Sequence, residues 1–267
     1  MFNRQNSGIT NCYSVVMTAC INPNNGNISN QVSRSDPKVR LLDYENSLKF
    51  WLTLNDYRIK KLIFIDNSGY PLDSLVKTAE SNNIWQKEYE FISLNCNDTP
   101  PGLHYGYSEF KLLDLGLEKS KILDFDDCII KVTGRYKYPT ISKLLNKLPE
   151  KPKIAADTRD ISLFVPYPRR TVTTGLIIFS VPFYQSEIQK SYLEMQPEPV
   201  KRRAFIEDVL YDKLIPRRDE PGIILRFPCN CEPEGVGGNG DSYTSPKKTF
   251  LAALRAVGRY LFPNWWI

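Results

Sequence analysis

The sequence predicts an α/β fold in which a mixed, mostly parallel central sheet is flanked by helices. Short apolar runs rich in β-branched residues recur along the chain, and stretches of helical periodicity separate them. Of the 267 residues, 42% are hydrophobic and 24% are charged, which is enough apolar material for a substantial core. We expect one large domain with a soft boundary near residue 150, between residues 1–150 and residues 151–267.

The elements of the first half alternate along the chain. Strands are predicted over residues 13–20, 61–65, 88–94 and 128–132. A first helix starts at Pro37, with Asp36 as its N-cap, and two more cover residues 71–82 and 106–122. Because strands and helices alternate, the ligand is expected at the carboxyl ends of the strands.

The second half has a less regular pattern. Helices are predicted over residues 141–148, 204–214 and 249–261, and strands over residues 154–157, 162–165 and 173–181. Residues 229–246 are rich in glycine and are predicted to form loops. We expect the sheet to continue across the boundary at residue 150.

The most informative segment spans residues 106–136, where a helix and a buried strand are followed by Thr133, Gly134 and Arg135. Polar residues at the carboxyl end of such a strand are well placed to meet a ligand. A fixed guanidinium there could neutralise a diphosphate without metal, because its planar fork reaches two oxygens. The alternative is a buried strand that ends in a glycine turn with an exposed arginine.

The composition limits which classes of binding partner and which cellular compartment we expect. The net charge of +5 comes from short, scattered basic clusters, which favour a phosphate-bearing substrate or an anionic membrane surface over nucleic acid. The six cysteines form no regular framework and His104 is the only histidine, so we expect no zinc site and a reduced, cytoplasmic protein. No apolar run reaches the ~20 residues that cross a bilayer.

Four blocks, taken in order, resemble nucleotide-sugar glycosyltransferases of the GT-A fold, a Rossmann-like fold. They are VVMTACINP, IFIDNSG, the segment 106–136 and IEDVLYDKL, and the resemblance loosely covers residues 13–215. The ending TGRY is similar to small bacterial capsule or O-antigen transferases. The family usually carries Asp-x-Asp at that strand end, where it holds a divalent metal; here Thr133–Arg135 replaces it, which implies metal independence and no cofactor.

The resemblance implies a hexosyltransferase-like enzyme of polysaccharide biosynthesis. It would move a sugar from a nucleotide-diphosphate donor, bound by residues 1–150, to a glycan or lipid-linked saccharide acceptor, bound by residues 151–267. Candidate donor-binding residues lie at the strand ends and at the starts of the helices: Thr18, Ala19, Asn22, Arg40, Asp66, Asn67, Tyr107, Glu109, Thr133, Gly134 and Arg135.

Several of these candidates have a purely structural alternative. Asp66 suits a contact with base or ribose, but an Asx-type turn that closes the strand explains it too. Arg40 is interpreted either as a phosphate contact or as a solvated helix arginine. Glu109 is interpreted either as a contact to the donor sugar or as a carboxylate at a helix amino terminus.

A carboxylate must also accept the proton of the acceptor hydroxyl. The block IEDVLYDKL offers Asp208 as the first choice and Glu207 as the second, and its resemblance to inverting members implies inversion. The alternative is an acidic first helical turn that pairs with the basic residues 201–203.

A literal Asp-x-Asp pair, Asp124 and Asp126, precedes the fourth strand and is expected at its amino end, away from the site. In another register the pair would bind Mg²⁺ or Mn²⁺, as a metal-dependent nucleotidyltransferase requires. The remaining alternative is a nucleotide- or glycan-binding module without activity.

The last predicted helix is amphipathic. Phe250, Leu254, Val257 and Leu261 share one face, and Arg255 and Arg259 lie off it. We expect this helix to dock on the protein's own core through its apolar face. The alternative, with Trp265 and Trp266, is peripheral contact with the cytoplasmic face of a membrane that carries a lipid-linked acceptor.

Overall fold

The computed structural model describes residues 12–26, 32–160, 170–197, 203–238 and 240–261. In these residues the strands are β1 (Tyr13–Ala19), β2 (Ile59–Asp66), β3 (Glu88–Ser93), β4 (Cys128–Thr133), β5 (Ile154–Asp160), β6 (Arg170–Ser180) and β7 (Ile223–Ile224). The helices are α1 (Pro37–Thr53), α2 (Asp73–Asn82), α3 (Gly106–Lys119), α4 (Ile141–Leu145), α5 (Val181–Phe183), α6 (Ile206–Leu214) and α7 (Pro246–Leu261).

The strands form one seven-stranded sheet in the order β3-β2-β1-β4-β6-β5-β7. The pairs β1–β2, β1–β4, β2–β3 and β5–β7 are parallel, and β6 runs antiparallel to both β4 and β5. The predicted mixed, mostly parallel sheet is confirmed. Because β4 and β6 pair across residue 150, the sheet is continuous over that boundary and the chain is a single domain.

Helices cover both faces of the sheet. Successive strand residues point to opposite faces. Val15 and Ile130 therefore belong to the core that also contains Trp51 of α1, while Val16 and Ile129 belong to the core beneath α3 and α6. Since both faces of the inner strands are buried, these strands form nearly continuous apolar runs, which is why the sequence predicts them.

Most predicted helices are found with shifted ends. Asp36 caps α1 as predicted, because its carboxylate accepts a hydrogen bond from the Lys38 N–H (2.8 Å). Helix α3 ends at Lys119, three residues before the predicted end. The two-residue strand β7 and the π-helical turn Tyr184–Ile188 had no sequence signal, and the predicted strand 162–165 lies outside the described residues.

Helix α7 contradicts the prediction that it docks through its apolar face. Phe250, Leu254 and Val257 are each more than half exposed, and no residue of α7 is buried. The helix instead contacts the protein through its arginines. Arg259 Nη2 lies 2.5 Å from the carboxylate of Asp157, and Arg255 pairs with Glu232.

None of the helices in the described part of the chain combines the length and the apolar character that crossing a membrane requires.

Candidate functional site

A cavity of about 380 Å³ lies at the edge of the sheet where β1, β2 and β4 end and β6 begins. Strand β6 contributes its first residues because it runs antiparallel to β4. The helices α1, α3 and α6 close the sides of the cavity. Its position agrees with the general placement of ligands at the carboxyl ends of parallel strands.

Arg135 lies in the wall of this cavity beside the ends of the first two strands. Its side chain is largely buried, and its Nη1 donates a hydrogen bond to the carbonyl of Gly237 (3.2 Å). Within the described residues, the buried Nε has no hydrogen-bond partner and no carboxylate pairs with the guanidinium. Because an uncompensated buried charge is costly, this arrangement favours the binding of an anion.

Gly134 allows the chain to turn from β4 towards the cavity. Its N–H donates to the carbonyl of Thr18 (2.8 Å), which continues the pairing of β4 with β1 for one residue. A Cβ at this position would lie 2.8 Å from the same carbonyl oxygen and 3.1 Å from the Tyr44 ring. Only glycine fits this close approach, and the turn directs Arg135 into the cavity.

Two more buried polar atoms on the cavity wall lack partners. The amide oxygen of Asn67, just after β2, and the hydroxyl of Thr171, at the start of β6, form no hydrogen bond with the described part of the protein. Buried polar groups in native proteins are nearly always hydrogen-bonded. Together with Arg135 Nε, they leave the polar wall of this cavity incompletely hydrogen-bonded by the described protein.

Arg40 of α1 lines the same cavity but is held by the protein. Its Nε donates to the carbonyl of Cys20 (2.6 Å), its Nη1 to that of Arg34 (3.0 Å) and its Nη2 to the Tyr44 hydroxyl (3.2 Å). The predicted solvated arginine is wrong, since the side chain is buried. Arg40 fixes the loop after β1 and adds positive charge beside Arg135.

Glu109 of α3 is held as an anion at the centre of the site. Its Oε1 accepts hydrogen bonds from Lys131 Nζ (2.6 Å), Thr18 Oγ1 (2.8 Å) and Thr133 Oγ1 (3.1 Å). Burial raises the pKa of Glu109, but the Lys131 ammonium and these hydrogen bonds outweigh it and lower the pKa below its usual value. Glu109 therefore stays ionised at neutral pH.

The two candidate bases of α6 face different surroundings. Glu207 lines the cavity, and its Oε1 accepts a hydrogen bond from Thr174 Oγ1 (2.9 Å). Asp208 is buried and does not line the cavity. The predicted preference for Asp208 therefore reverses, and Glu207 is the carboxylate that a ligand can reach.

Four predicted donor contacts lie outside the cavity wall: Asp66, Asn22, Tyr107 and Gly134. The carboxylate of Asp66 is fully buried and accepts from the N–H groups of Ile21 (2.8 Å) and Ser68 (2.9 Å), which is the turn alternative. Burial raises the pKa of Asp66. Asn22 caps the turn Pro23–Asn25, and Tyr107 packs against another tyrosine.

The predicted contacts Thr18, Ala19, Asn67, Glu109 and Thr133 all lie in the cavity wall together with Arg40 and Arg135. Gly134 does not line it and acts through the backbone.

Asp124 and Asp126 do not fit a metal at this site. They precede β4 at its amino end, whereas the cavity lies at its carboxyl end, and Asp124 pairs with Lys61 (2.5 Å). In the described portion of the chain, no three His, Cys, Asp or Glu side chains lie close enough together to hold a metal ion.

Sequence reasoning weighed His104 as a contact to acceptor or donor beside the site, but it missed Tyr44, Lys131 and the two residues that complete an aromatic wall with His104. The wall consists of His104, Tyr105 and Phe205, with the His104 ring centroid 4.1 Å from that of Tyr105 and 4.5 Å from that of Phe205. Lys131 had a visible signal, because it is the one charged residue in the strand CIIKVT. Tyr44 had none, since it occupies an ordinary position on a buried helix face.

No protein-family model and no curated protein sequence matches this chain. Solved structures do match it. The WbbM bifunctional glycosyltransferase in its apo form is 11% identical, with a TM-score of 0.50, over 94% of this chain and 45% of that one. The inositol-1-phosphate CTP transferase of T. maritima is 13% identical, with a TM-score of 0.46, over 91% of this chain and 96% of that one. Mouse xyloside xylosyltransferase 1 is 11% identical, with a TM-score of 0.43, over 82% and 86%.

At such low identity, the similarity to WbbM shows the fold alone, and the chain spans less than half of that protein's length. The chain has a GT-A-like α/β fold with one seven-stranded sheet in a single domain, a fold that glycosyltransferases and nucleotidyltransferases share.

Proposed function

We propose that this protein is a glycosyltransferase that moves a sugar from a nucleoside-diphosphate donor to a glycan or lipid-linked saccharide. The observation that carries the proposal is the buried guanidinium of Arg135 in the cavity wall. Its Nε has no hydrogen-bond partner, and no carboxylate of the described residues forms an ion pair with it. A diphosphate supplies the two negative charges and the planar pairs of oxygens that a guanidinium binds best.

The order of the strands suggests how the donor lies. From β2 through β1 and β4 to β6, three inter-strand steps span about 14 Å. The base and ribose occupy the end near Asn67 and Ala19, and the diphosphate lies at the tip of β4 beside Arg135. The sugar then reaches Glu109 and the first residues of β6, where Thr171 offers its hydroxyl.

Glu207 is the base in this proposal. The acceptor hydroxyl gives its proton to the Glu207 carboxylate as its oxygen bonds to the anomeric carbon of the sugar. The bond from that carbon to the diphosphate breaks, and its electron pair leaves on the diphosphate oxygen. Arg135 stabilises the added charge, and because it lies in place before the reaction, little reorganisation is needed.

Glu109 serves a different role, because Lys131 keeps it ionised and its Oε1 already accepts three hydrogen bonds. It is suited to accept a hydrogen bond from a sugar hydroxyl through its other oxygen. The Lys131 ammonium offsets the repulsion that this carboxylate would otherwise exert on the diphosphate.

The first test follows product formation from a panel of nucleotide sugars, with and without EDTA. Release of nucleoside diphosphate that continues in EDTA supports the proposal. Release of pyrophosphate from a nucleoside triphosphate and a sugar phosphate would instead identify a nucleotidyltransferase. Donor binding without any turnover, across a range of saccharide acceptors, would identify a binding module.

The second test compares two neighbouring carboxylates. Glu207→Gln should retain donor binding and lower kcat by about 10²–10⁴-fold, as is usual when a general base is removed. Asp208→Asn is the matched control, because Asp208 does not line the cavity. Equal losses in both variants would contradict the role given to Glu207.

A further inference from the structure

Helix α7 presents an exposed apolar surface, which we call the outer face of α7 and define by Phe250, Leu254, Val257 and Leu261. These side chains are 51% to 63% exposed. They are spaced at intervals of three and four residues and therefore form one stripe along the helix. The described part of the protein therefore leaves one contiguous apolar strip of this helix uncovered.

The helix is held in this orientation by charge. Arg255 and Arg259 lie on the opposite side and pair with Glu232 and Asp157 of the domain beneath. Asp157 is almost fully buried, and without Arg259 it would keep only the longer pair with Arg159 (3.3 Å), so losing Arg259 is costly. The apolar stripe is therefore directed outward by ion pairs that turning the helix over would break.

We propose that the outer face of α7 binds the surface of an anionic lipid bilayer. The helix has no acidic residue. Three of its four basic residues pair with carboxylates of the protein, but Lys247, at its start, is exposed and forms no ion pair with any described residue. The chain as a whole carries a net charge of +5. An exposed apolar stripe with a free lysine beside it, on a chain of net positive charge, suits the interface of an anionic membrane.

The area of the outer face argues against a second copy as its partner. A helix of 16 residues is about 24 Å long and about 10 Å wide, so one face offers a strip of about 240 Å². Stable protein interfaces bury about 800 Å² on each partner. A bilayer needs no such area, because the apolar side chains enter the lipid individually.

Sedimentation of the full chain with vesicles tests this proposal independently of the catalytic one. The protein should bind vesicles of phosphatidylcholine with phosphatidylserine more strongly than phosphatidylcholine alone, and added salt should weaken the binding. Leu254→Glu should lower the partition coefficient by about tenfold, because the free energy of burying one leucine in lipid is lost. Leu42→Glu is the matched control, since Leu42 is 56% exposed on α1.

Three results would overturn the proposal. One is equal sedimentation of both variants, or none of the wild type. Another is a dimer in light scattering that Leu254→Glu dissociates, which would identify a second copy as the partner. The third is a fall in the melting temperature of Leu254→Glu that is typical of a core substitution and absent from Leu42→Glu, which would mean that the chain itself covers this face.

Discussion

At the amino end of β4, the charged side chains pair with one another, whereas the arginine at its carboxyl end lies buried without a counter-ion in the described part of the chain. Asp127 accepts hydrogen bonds from Lys61 (3.0 Å) and Ser14 (3.0 Å), and Lys61 also binds Asp124. Arg135 lies seven residues further along the chain than Cys128. Among the described residues, its guanidinium has a hydrogen bond to the Gly237 carbonyl and a ring contact with Tyr44, but no carboxylate partner.

This difference distinguishes charged side chains that stabilise the fold by pairing with one another from a charged side chain that is available to bind a ligand. A paired cluster stabilises the folded state and offers nothing further to a substrate. A buried guanidinium with a partnerless Nε destabilises the free protein, and a bound anion relieves that cost. The same contrast distinguishes Asp66, whose oxygens are occupied, from Asn67, whose amide oxygen is not.

The largest effect on the free energy of unfolding is expected for Glu109→Gln. This variant tests whether the carboxyl end of β4 also contains an ion pair that stabilises the fold. The substitution leaves the fully buried Lys131 without its counter-ion and should lower the free energy of unfolding by about 4 kcal/mol. Glu118→Gln, on the exposed side of the same helix, is the control and should have little effect. Urea unfolding measures both.

The pH dependence of stability sharpens the same point. The pKa of Glu109 is lowered in the folded protein, so its contribution is present above its unfolded value of about 4.3 and is lost as the pH falls through the folded value. Between roughly pH 5 and pH 3, the wild type should therefore lose more stability than Glu109→Gln. Parallel pH profiles would contradict the assignment of Glu109 as an ionised partner of Lys131.

Arg135→Met tests the unpaired end directly. It should weaken the binding of a nucleoside diphosphate by about 3 kcal/mol, or roughly 100-fold, because it removes charge-assisted hydrogen bonds. Its free energy of unfolding should not fall by more than about 1 kcal/mol, since only one hydrogen bond to the protein is lost. Arg135→Lys retains the charge without the planar fork, so its affinity for the nucleoside diphosphate should lie between those of the wild type and Arg135→Met. Titration calorimetry measures all three affinities.

Lys61→Met is the counterpart at the amino end. It leaves Asp127 without its cation but with the Ser14 hydroxyl, so the free energy of unfolding should fall by about 2 kcal/mol. Nucleoside diphosphate binding should not change. If Lys61→Met weakened binding as much as Arg135→Met, the separation between the two ends of β4 would not hold.

The smallest effect is expected for Tyr44→Phe, which removes a hydroxyl near Arg135. The Cys20 N–H (2.9 Å) and Arg40 Nη2 (3.2 Å) would lose this acceptor. Because Arg40 keeps two carbonyl acceptors, the free energy of unfolding should fall by only about 1 kcal/mol. The ring contact with Arg135, at 5.9 Å, would remain, so nucleotide affinity should change little. A large loss of affinity would show that the hydroxyl itself meets the ligand.

The sequence predicted the parallel strands and the position of Arg135 because both depend on local pattern. Strands buried on both faces are continuous apolar runs, and a glycine after such a strand marks the turn towards the cavity. The choice between Glu207 and Asp208 could not be made this way. Adjacent residues on a helix point about 100° apart, so an uncertainty of one residue in the helix start decides which one faces the ligand.

Local sequence patterns also could not predict contacts between segments that are far apart in the chain. The orientation of α7 depends on Asp157 and Glu232, which lie far from the helix in sequence. Periodicity identifies the apolar stripe but not which side the rest of the protein will hold. Asp66 is a related case, since a carboxylate after a strand suits both a ligand and a turn until its hydrogen bonds are seen.

A crystal structure of the protein with the nucleoside diphosphate that stabilises it most, grown in the presence of EDTA, would test most directly whether Arg135 binds the diphosphate without metal. We expect diphosphate oxygens to lie within hydrogen-bond distance of the Arg135 guanidinium, in the cavity at the tip of β4. A diphosphate bound elsewhere, or an Arg135 side chain that turns out of the cavity, would contradict it.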